Sequence, residues 1–397
     1  MISVDEAQAR LLALASPLAS PLPPVERDLM QAVRHYLHAP LMAMRTQPAA
    51  DLSAMDGYAI AVDGFPGPWR VIGESAAGHP FAGDLKRGEA VRIFTGAYVP
   101  QNADCVLIQE NAARDGDSLR AIVDRMPISG ANIRRLGGDF RAGDEVLPKG
   151  TYLDAGAIAV AAMAGHGRVA VGGVPRIAIA ATGDELVPAG SAAGPAQIPC
   201  SNSPMLQAML AGLPCDVLDA GILRDDLTAL ETSLSALSKQ VDVIVTTGGA
   251  SVGDHDLVQS ALLNIGAQMD FWKVAMRPGK PLMAGKVGNA VVLGLPGNPS
   301  SAFVTAFLFL LPLIRHMAGC AAPLPALYAA ATATDLPSGG DRAEYLRATV
   351  EGGHIAPFLS QDSGLTRTLS QANALLVQQP HVPPRAKGTM VQYMRLS

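Results

Sequence analysis

The residues best suited to chemistry are the acids Glu185, Asp225, Asp254 and Asp256 and the glycine pair Gly248–Gly249. In Val241 to Asp256, VDVIVTTGGASVGDHD, a β-branched apolar run empties into Thr246, Thr247, Gly248 and Gly249. A run of that kind bounded by glycine predicts a buried parallel strand. Two adjacent glycines let the backbone approach a ligand closely, and successive N–H groups there can form an anion-binding nest. Carboxylates beside such a nest suit a hard cation, Mg²⁺ for example, bridging protein to phosphate. Taken alone, the stretch reads equally as a glycine turn followed by a solvated acidic loop.

The elements that must position these groups decide between the two readings. From Arg176 onward the pattern is strand, loop, helix, repeated: strands at 176–181, 215–220, 241–247 and 290–293, and helices at 203–213 with Asn202 and Ser203 as candidate caps, through Leu237 with Asp225 or Asp226 as cap, at 257–265 and from Ser300. That alternation predicts a mostly parallel, doubly wound sheet with right-handed crossovers. Glu185, Asp225 and Asp256 each follow a strand, as do the turns Gly248–Gly249 and Gly294–Gly297. In a parallel sheet all these loops share one rim, where ligands bind. The expectation is a phosphate or pyrophosphate site with a divalent cation. The sequence contains neither GxxxxGK[ST] nor GxGxxG, which excludes a P-loop and a dinucleotide fingerprint.

The remaining segments frame this region. Residues 3–16 predict a helix with a Ser3/Glu6 capping box and Val4, Ala7, Leu11 and Leu14 on one face. A second helix is expected over 28–36. Residues 51–146 alternate short apolar runs with glycine turns and predict a β-rich module. Three of its turns, at Asp56, Thr95 and Asp139, carry polar groups that packing does not need. An alanine-rich helix over 151–164 is expected to join the first helices in one subdomain. The end of the chain, from Pro323, predicts a separate small sheet or barrel. The domains expected are 1–44 with 147–172 (helical linker), 45–146 (inserted β-rich domain), 173–321 (α/β domain) and 322–397 (C-terminal β-barrel).

Composition narrows the function. The chain has 397 residues, 49% hydrophobic and 16% charged, as a packed multidomain protein requires. A net charge of −5 gives no reason to expect nucleic acid or an anionic membrane as partner. The apolar segment 302–314 is too short to span a bilayer and contains Pro312, so a buried helix is expected. Four scattered cysteines without a CxxC pair disfavour zinc and disulfides and suit a reducing cytoplasm.

Taken together, SAMDGYA (53–59), FTGA (94–97), IRRLGGD (133–139), ATGDEL (181–186), GILRDD (221–226), TTGGASVGDHD (246–256), FWKVAMRPGKP (271–281) and GLPGNPSSA (294–302) resemble the molybdopterin molybdenumtransferase family, which includes MoeA and the gephyrin E-domain. The resemblance covers nearly the whole chain. It implies insertion of molybdenum from molybdate into adenylylated molybdopterin with release of AMP, Mg²⁺ as cofactor, a cytoplasmic homodimer, and contact with other proteins of molybdenum cofactor biosynthesis. By the same resemblance Asp225, Asp256 and Glu185 are catalytic and metal-holding. Asp56, Thr95 and Asp139 match β-module residues expected to reach a neighbouring subunit's cleft. Thr247, Gly248, Gly249, Ser251, Pro296 and Asn298 match the pterin-nucleotide turns. Lys273, Arg277 and Lys280 match the basic loop for substrate and molybdate, and Arg347 and Ser363 match C-terminal positions linked to molybdate. Arg277 stands where the family often has lysine, which exchanges a point charge for a planar fork. Cys200 and Gly138 stand where it often has acids. The alternatives are a molybdopterin adenylyltransferase, similar to the central domain alone, and a non-catalytic scaffold.

Overall fold

The computed structural model describes residues 1–15, 22–248, 257–271 and 273–396. Its apolar runs between 176 and 295 assemble into one six-stranded sheet, ordered Asp216–Leu223, Arg176–Thr182, Val243–Thr247, Ala290–Leu295, Met283–Val287 and Gln268–Phe271. The first four strands are parallel and the last two antiparallel. Alternate side chains leave opposite faces, as a pleated strand requires. Ile177, Ile179, Val243, Val245, Val291 and Leu293 enter one core with helices Val4–Ala15, Asn202–Leu210 and Pro299–Thr305. Ala178, Ile244 and Val292 enter the other, against Leu227–Leu237 and Leu257–Asn264. Both faces are covered, which explains the unbroken apolar runs.

The parallel register sets the site. Thr182 pairs with Leu223, Ala181 with Thr247, and Thr247 with Leu295. The loops beginning at Gly183, Arg224, Gly248 and Pro296 therefore leave the sheet on one rim, as expected from the sequence.

The helix from Pro299 continues through a π-helical segment, Ala306–Leu310, into Leu311–Met317. It is long and apolar enough to cross a membrane by length and composition, but 78% of its window is buried inside the chain. Pro312 has no N–H for the carbonyl four residues back, that of Leu308. The buried Gln8 amide donates to that oxygen instead, at 2.7 Å. This contact and the apolar stripe of Val4, Ala7, Leu11 and Ala15 fasten the first helix to the central core.

The chain divides into two compact units. One comprises Met1–Ala39, Lys149–Asp154 and Val169–Ser397, and the other Pro40–Pro148 with Ala155–Arg168. The first helix falls in the first unit and helix Ala155–Met163 in the second. The helix expected over 28–36 shrinks to Leu29–Ala32 behind a strand, Val25–Asp28. Val33 at ψ 135° and Arg34 at φ 68° end it. Strand Met283–Val287 was not anticipated. Its signal was the Gly288-Asn289 pair, a two-residue hairpin turn that sets Val287 against Ala290.

The second unit is built on a six-stranded sheet ordered Cys105–Ile108, Gly57–Ile60, Glu89–Ile93, Trp69–Ser75, Ser118–Ala121, Ala112–Asp115. In the C-terminal region Ala343–Glu351, His354–Pro357, Tyr328–Thr332, Met390–Arg395 and Ala374–Gln378 close into a five-stranded barrel. Met276–Arg277 adds to its Ala343–Glu351 strand, which ties the basic loop to the barrel.

Candidate active site

Two glycine corners meet at the sheet rim. A Cβ on Gly248, whose φ is +89°, would lie 2.2 Å from the Thr182 carbonyl oxygen, and a Cβ on Gly297 would lie 3.2 Å from Gly248 Cα. Only glycine lets these backbones approach so closely. They border a cavity of about 490 Å³ lined by Thr182, Glu185, Asn202, Thr247, Gly248 and Asn298, among others. Asn298 Oδ1 also accepts from Ser300 N at 3.3 Å and caps the long helix. Pro296 is buried and is not among the residues lining the cavity.

The acid loops differ in how their charge is met. Asp226 caps helix Leu227–Leu237 by accepting from Ala229 N at 2.8 Å, which leaves its neighbour available. Asp225 N donates to Asp184 Oδ1 at 3.3 Å. Asp225 Oδ1 is buried without a hydrogen-bond partner among the described residues. Burial first, then the negative charges of Asp184 and Glu185, push the Asp225 carboxyl above its ordinary range. The orphaned, buried Asp225 Oδ1, under the negative charges of Asp184 and Glu185, fits a divalent cation that takes one or two carboxylates from the protein. Among the described residues no group of three or more His, Cys, Asp or Glu side chains is arranged to hold a metal ion. Mg²⁺ needs none, since one or two carboxylates with substrate phosphates suffice. Asp256, Gly249 and Ser251, expected at the same rim, lie outside the described residues.

A second cavity, of about 910 Å³, adjoins the barrel and is lined by Arg277, Lys280, Ser301, Arg342, Asp362 and Ser363, among others. Arg277 is held 3.4 Å from Glu344, and Arg342 donates to the Met276 carbonyl. Lys273 is exposed outside the cavity lining, and its carbonyl accepts from Ile2 N.

Arg347 is placed differently from the expectation. It is 2% exposed. Its guanidinium donates to Ser300 Oγ and Thr368 Oγ1 at 2.7 Å, to Leu365 O at 2.9 Å and to Asp362 O at 2.8 Å. Arg347 is not among the residues lining the second cavity. Arg347 holds Ser300 and the 362–368 loop, and the latter carries Ser363 on one cavity and Gly364 on the other.

In the second unit the three polar turns are laced together. Ser53 N donates to Ala97 O, Gly96 N to Ser53 O, Ala54 N to Asn132 O, and Ile133 pairs with Ser53. Asp56 Oδ1 accepts from Thr95 N and Thr95 Oγ1, both at 2.8 Å, and these bonds lower its pKa. Asp139 is exposed, with its N–H bonded to Gln47 O.

Thr182 and Asn202 are among the lining residues that the sequence reading did not assign to the site. Asn202 was expected to cap its helix; its amide instead donates to Thr247 Oγ1 and Gly297 O, at 2.7 and 2.8 Å.

Comparison with known proteins now bears on this geometry. The family model for the MoeA N-terminal region (domain I and II) matches residues 2–165. That for a probable molybdopterin binding domain matches 178–316, and that for the MoeA C-terminal region (domain IV) matches 329–396. A molybdopterin molybdenumtransferase of Haemophilus influenzae is 35% identical over 80% of this chain and 78% of its own. The chain belongs to the MoeA family of molybdopterin molybdenumtransferases. A second member of that name, from Nostoc, is 34% identical over 88% of this chain and 84% of its own. The MoeA-family crystal structure from Pyrococcus horikoshii superposes with a TM-score of 0.86 at 25% identity, covering 100% of both chains. The mixed α/β fold with its C-terminal barrel is that of these neighbours.

Proposed function

We propose that this protein inserts molybdenum from molybdate into adenylylated molybdopterin and releases AMP. The observation that carries the reading is Asp225, a rim carboxylate with a buried, unpartnered oxygen beside Glu185 and a ligand-sized cavity. The substrate supplies phosphate oxygens, and the curated relatives carry the molybdenumtransferase name.

In this reading Asp225, Glu185 and Asp256 hold Mg²⁺. When bound, that ion neutralises the charge that develops on phosphate oxygens as the phosphoanhydride breaks. Thr247, Gly248 and Asn298, with Gly249 and Ser251, hold the nucleotide. Arg277, Lys280 and Ser363 offer the tetrahedral molybdate dianion charge-assisted donors, with Lys273 and Pro296 shaping the same loops. Asp56, Thr95 and Asp139 act from a neighbouring subunit in a homodimer. The protein works in the cytoplasm, alongside other enzymes of molybdenum cofactor biosynthesis.

The test is AMP release from adenylylated molybdopterin with molybdate and Mg²⁺. Asp225→Asn is expected to fold and to lose release by about a hundredfold or more. Release at the wild-type rate would remove Asp225 from the assigned role.

A further inference from the structure

Asn202 is 6% exposed, and both hydrogens of its amide are used, on Thr247 Oγ1 and on Gly297 O. The second partner is a carbonyl and cannot donate. Turning the amide over would set oxygen against oxygen, so the orientation is locked. Asn202 Oδ1 is then held among the residues lining the rim cavity. It is buried, and it has no partner among the described residues. Thr182 Oγ1, from a residue 2% exposed on the same cavity, is unpartnered as well. Buried polar atoms without partners are uncommon, and each has a desolvation cost unless a ligand meets it.

We infer that Asn202 Oδ1, assisted by Thr182, is the element of this cavity that reads an uncharged N–H or O–H donor edge of the substrate. An ionised phosphate is excluded from this end. In the substrate's doubly esterified diphosphate every non-bridging oxygen is ionised, so it offers only acceptors, and a fixed carbonyl oxygen repels it. The cavity thereby offers two chemistries: the Glu185 carboxylate, whose charge also acts on Asp225 outside the lining, for the cation-bound phosphates, and the Asn202 oxygen for the heterocycle or sugar. The inference rests on the substrate reading above, because adenylylated molybdopterin carries N–H edges on both its pterin and its adenine and hydroxyls on its ribose.

Thr182→Val is nearly isosteric and removes an unsatisfied hydroxyl. It is expected to keep or raise the melting temperature of the free protein while weakening the ligand. Asn202→Leu removes the acceptor and its lock. Calorimetric titrations of wild type and both variants with 6-hydroxymethylpterin, AMP, N6,N6-dimethyl-AMP and inorganic phosphate test the inference. Asn202→Leu should lose about tenfold or more in affinity for the compound whose donor it meets, and phosphate should be unaffected. A loss confined to the pterin identifies the pterin edge. A loss for AMP that dimethylation reproduces in wild type identifies the adenine amine, and one that it does not reproduce identifies the ribose. Unchanged affinity for pterin and AMP in both variants, with wild type binding them, overturns the inference and leaves the substrate reading standing. Wild type binding neither compound overturns both.

Discussion

Asp225 and Arg347 each carry a charged side chain with atoms withdrawn from water, and the two regions around them treat that charge in opposite ways. Arg347 sits among four oxygens of its own chain, each accepting one of its hydrogen bonds. Asp225 sits beside two further acids with one oxygen unmet. A saturated buried charge holds a scaffold together, whereas an unsaturated one is a place prepared for something the chain does not contain. The contrast separates two residues that the family resemblance had grouped as ligand contacts.

The strongest way to break this contrast is Arg347→Ala. It removes the guanidinium that Ser300, Thr368, Leu365 O and Asp362 O share, so urea unfolding should show a loss of about 3 kcal/mol or more. Arg347→Lys should recover part of it, because an ammonium cannot reproduce the planar fork. A loss below about 1 kcal/mol, the scale of an exposed pair, would show that the cluster does not hold the loop.

Asp225→Asn should do the reverse. Removing one of three crowded negative charges should leave the unfolding midpoint of the metal-free protein at pH 7 unchanged or higher. The same substitution should weaken Mg²⁺ binding by at least about tenfold, read by calorimetry with AMP present. A lower midpoint with intact Mg²⁺ affinity would make Asp225 structural.

The pH dependence sharpens the point. The folded Asp225 pKa lies above the ordinary carboxylate value, so the folded state holds this proton more tightly than the unfolded chain does. Its contribution to the stability of the metal-free protein is therefore full below the unfolded carboxylate pKa and is lost as pH rises through the raised folded value. Urea midpoints across that window should fall with pH in wild type by more than in Asp225→Asn. The smallest effect concerns Asp56, whose pKa is lowered by the Thr95 N–H and hydroxyl. Its contribution is present above the unfolded value and lost as pH falls through the folded one. Thr95→Val should move the Asp56 titration, followed by carboxyl NMR, back toward the ordinary range.

Much of this arrangement was legible in the sequence because it depends on period and punctuation. Apolar runs ending near Ala181, Ala220, Thr247 and Leu293 specify a parallel sheet, and the parallel sheet alone places Glu185 and Asp225 on one rim. Asp226 was readable as a cap by its position before Leu227. Asn202 was misread for the same reason: Asn before an apolar helix fits a cap. Its real partners, Thr247 and Gly297, are 45 and 95 residues away, and no local pattern reports them. The burial of Arg347 was not legible because burial of an arginine depends on which loops close over it, here 362–368. The helix expected over 28–36 failed because the Arg34 N–H donates instead to Leu153 O, a tertiary contact that outweighs local propensity.

The most direct test of unmet charge as the mark of the site is the Asp225 carboxyl titration, measured by ¹³C NMR with AMP alone and with AMP and saturating Mg²⁺. The raised pKa should fall below the ordinary carboxylate value once the cation is bound, because a nearby positive charge favours the ionised form. An Asp225 titration that does not move when Mg²⁺ is added would contradict the assignment.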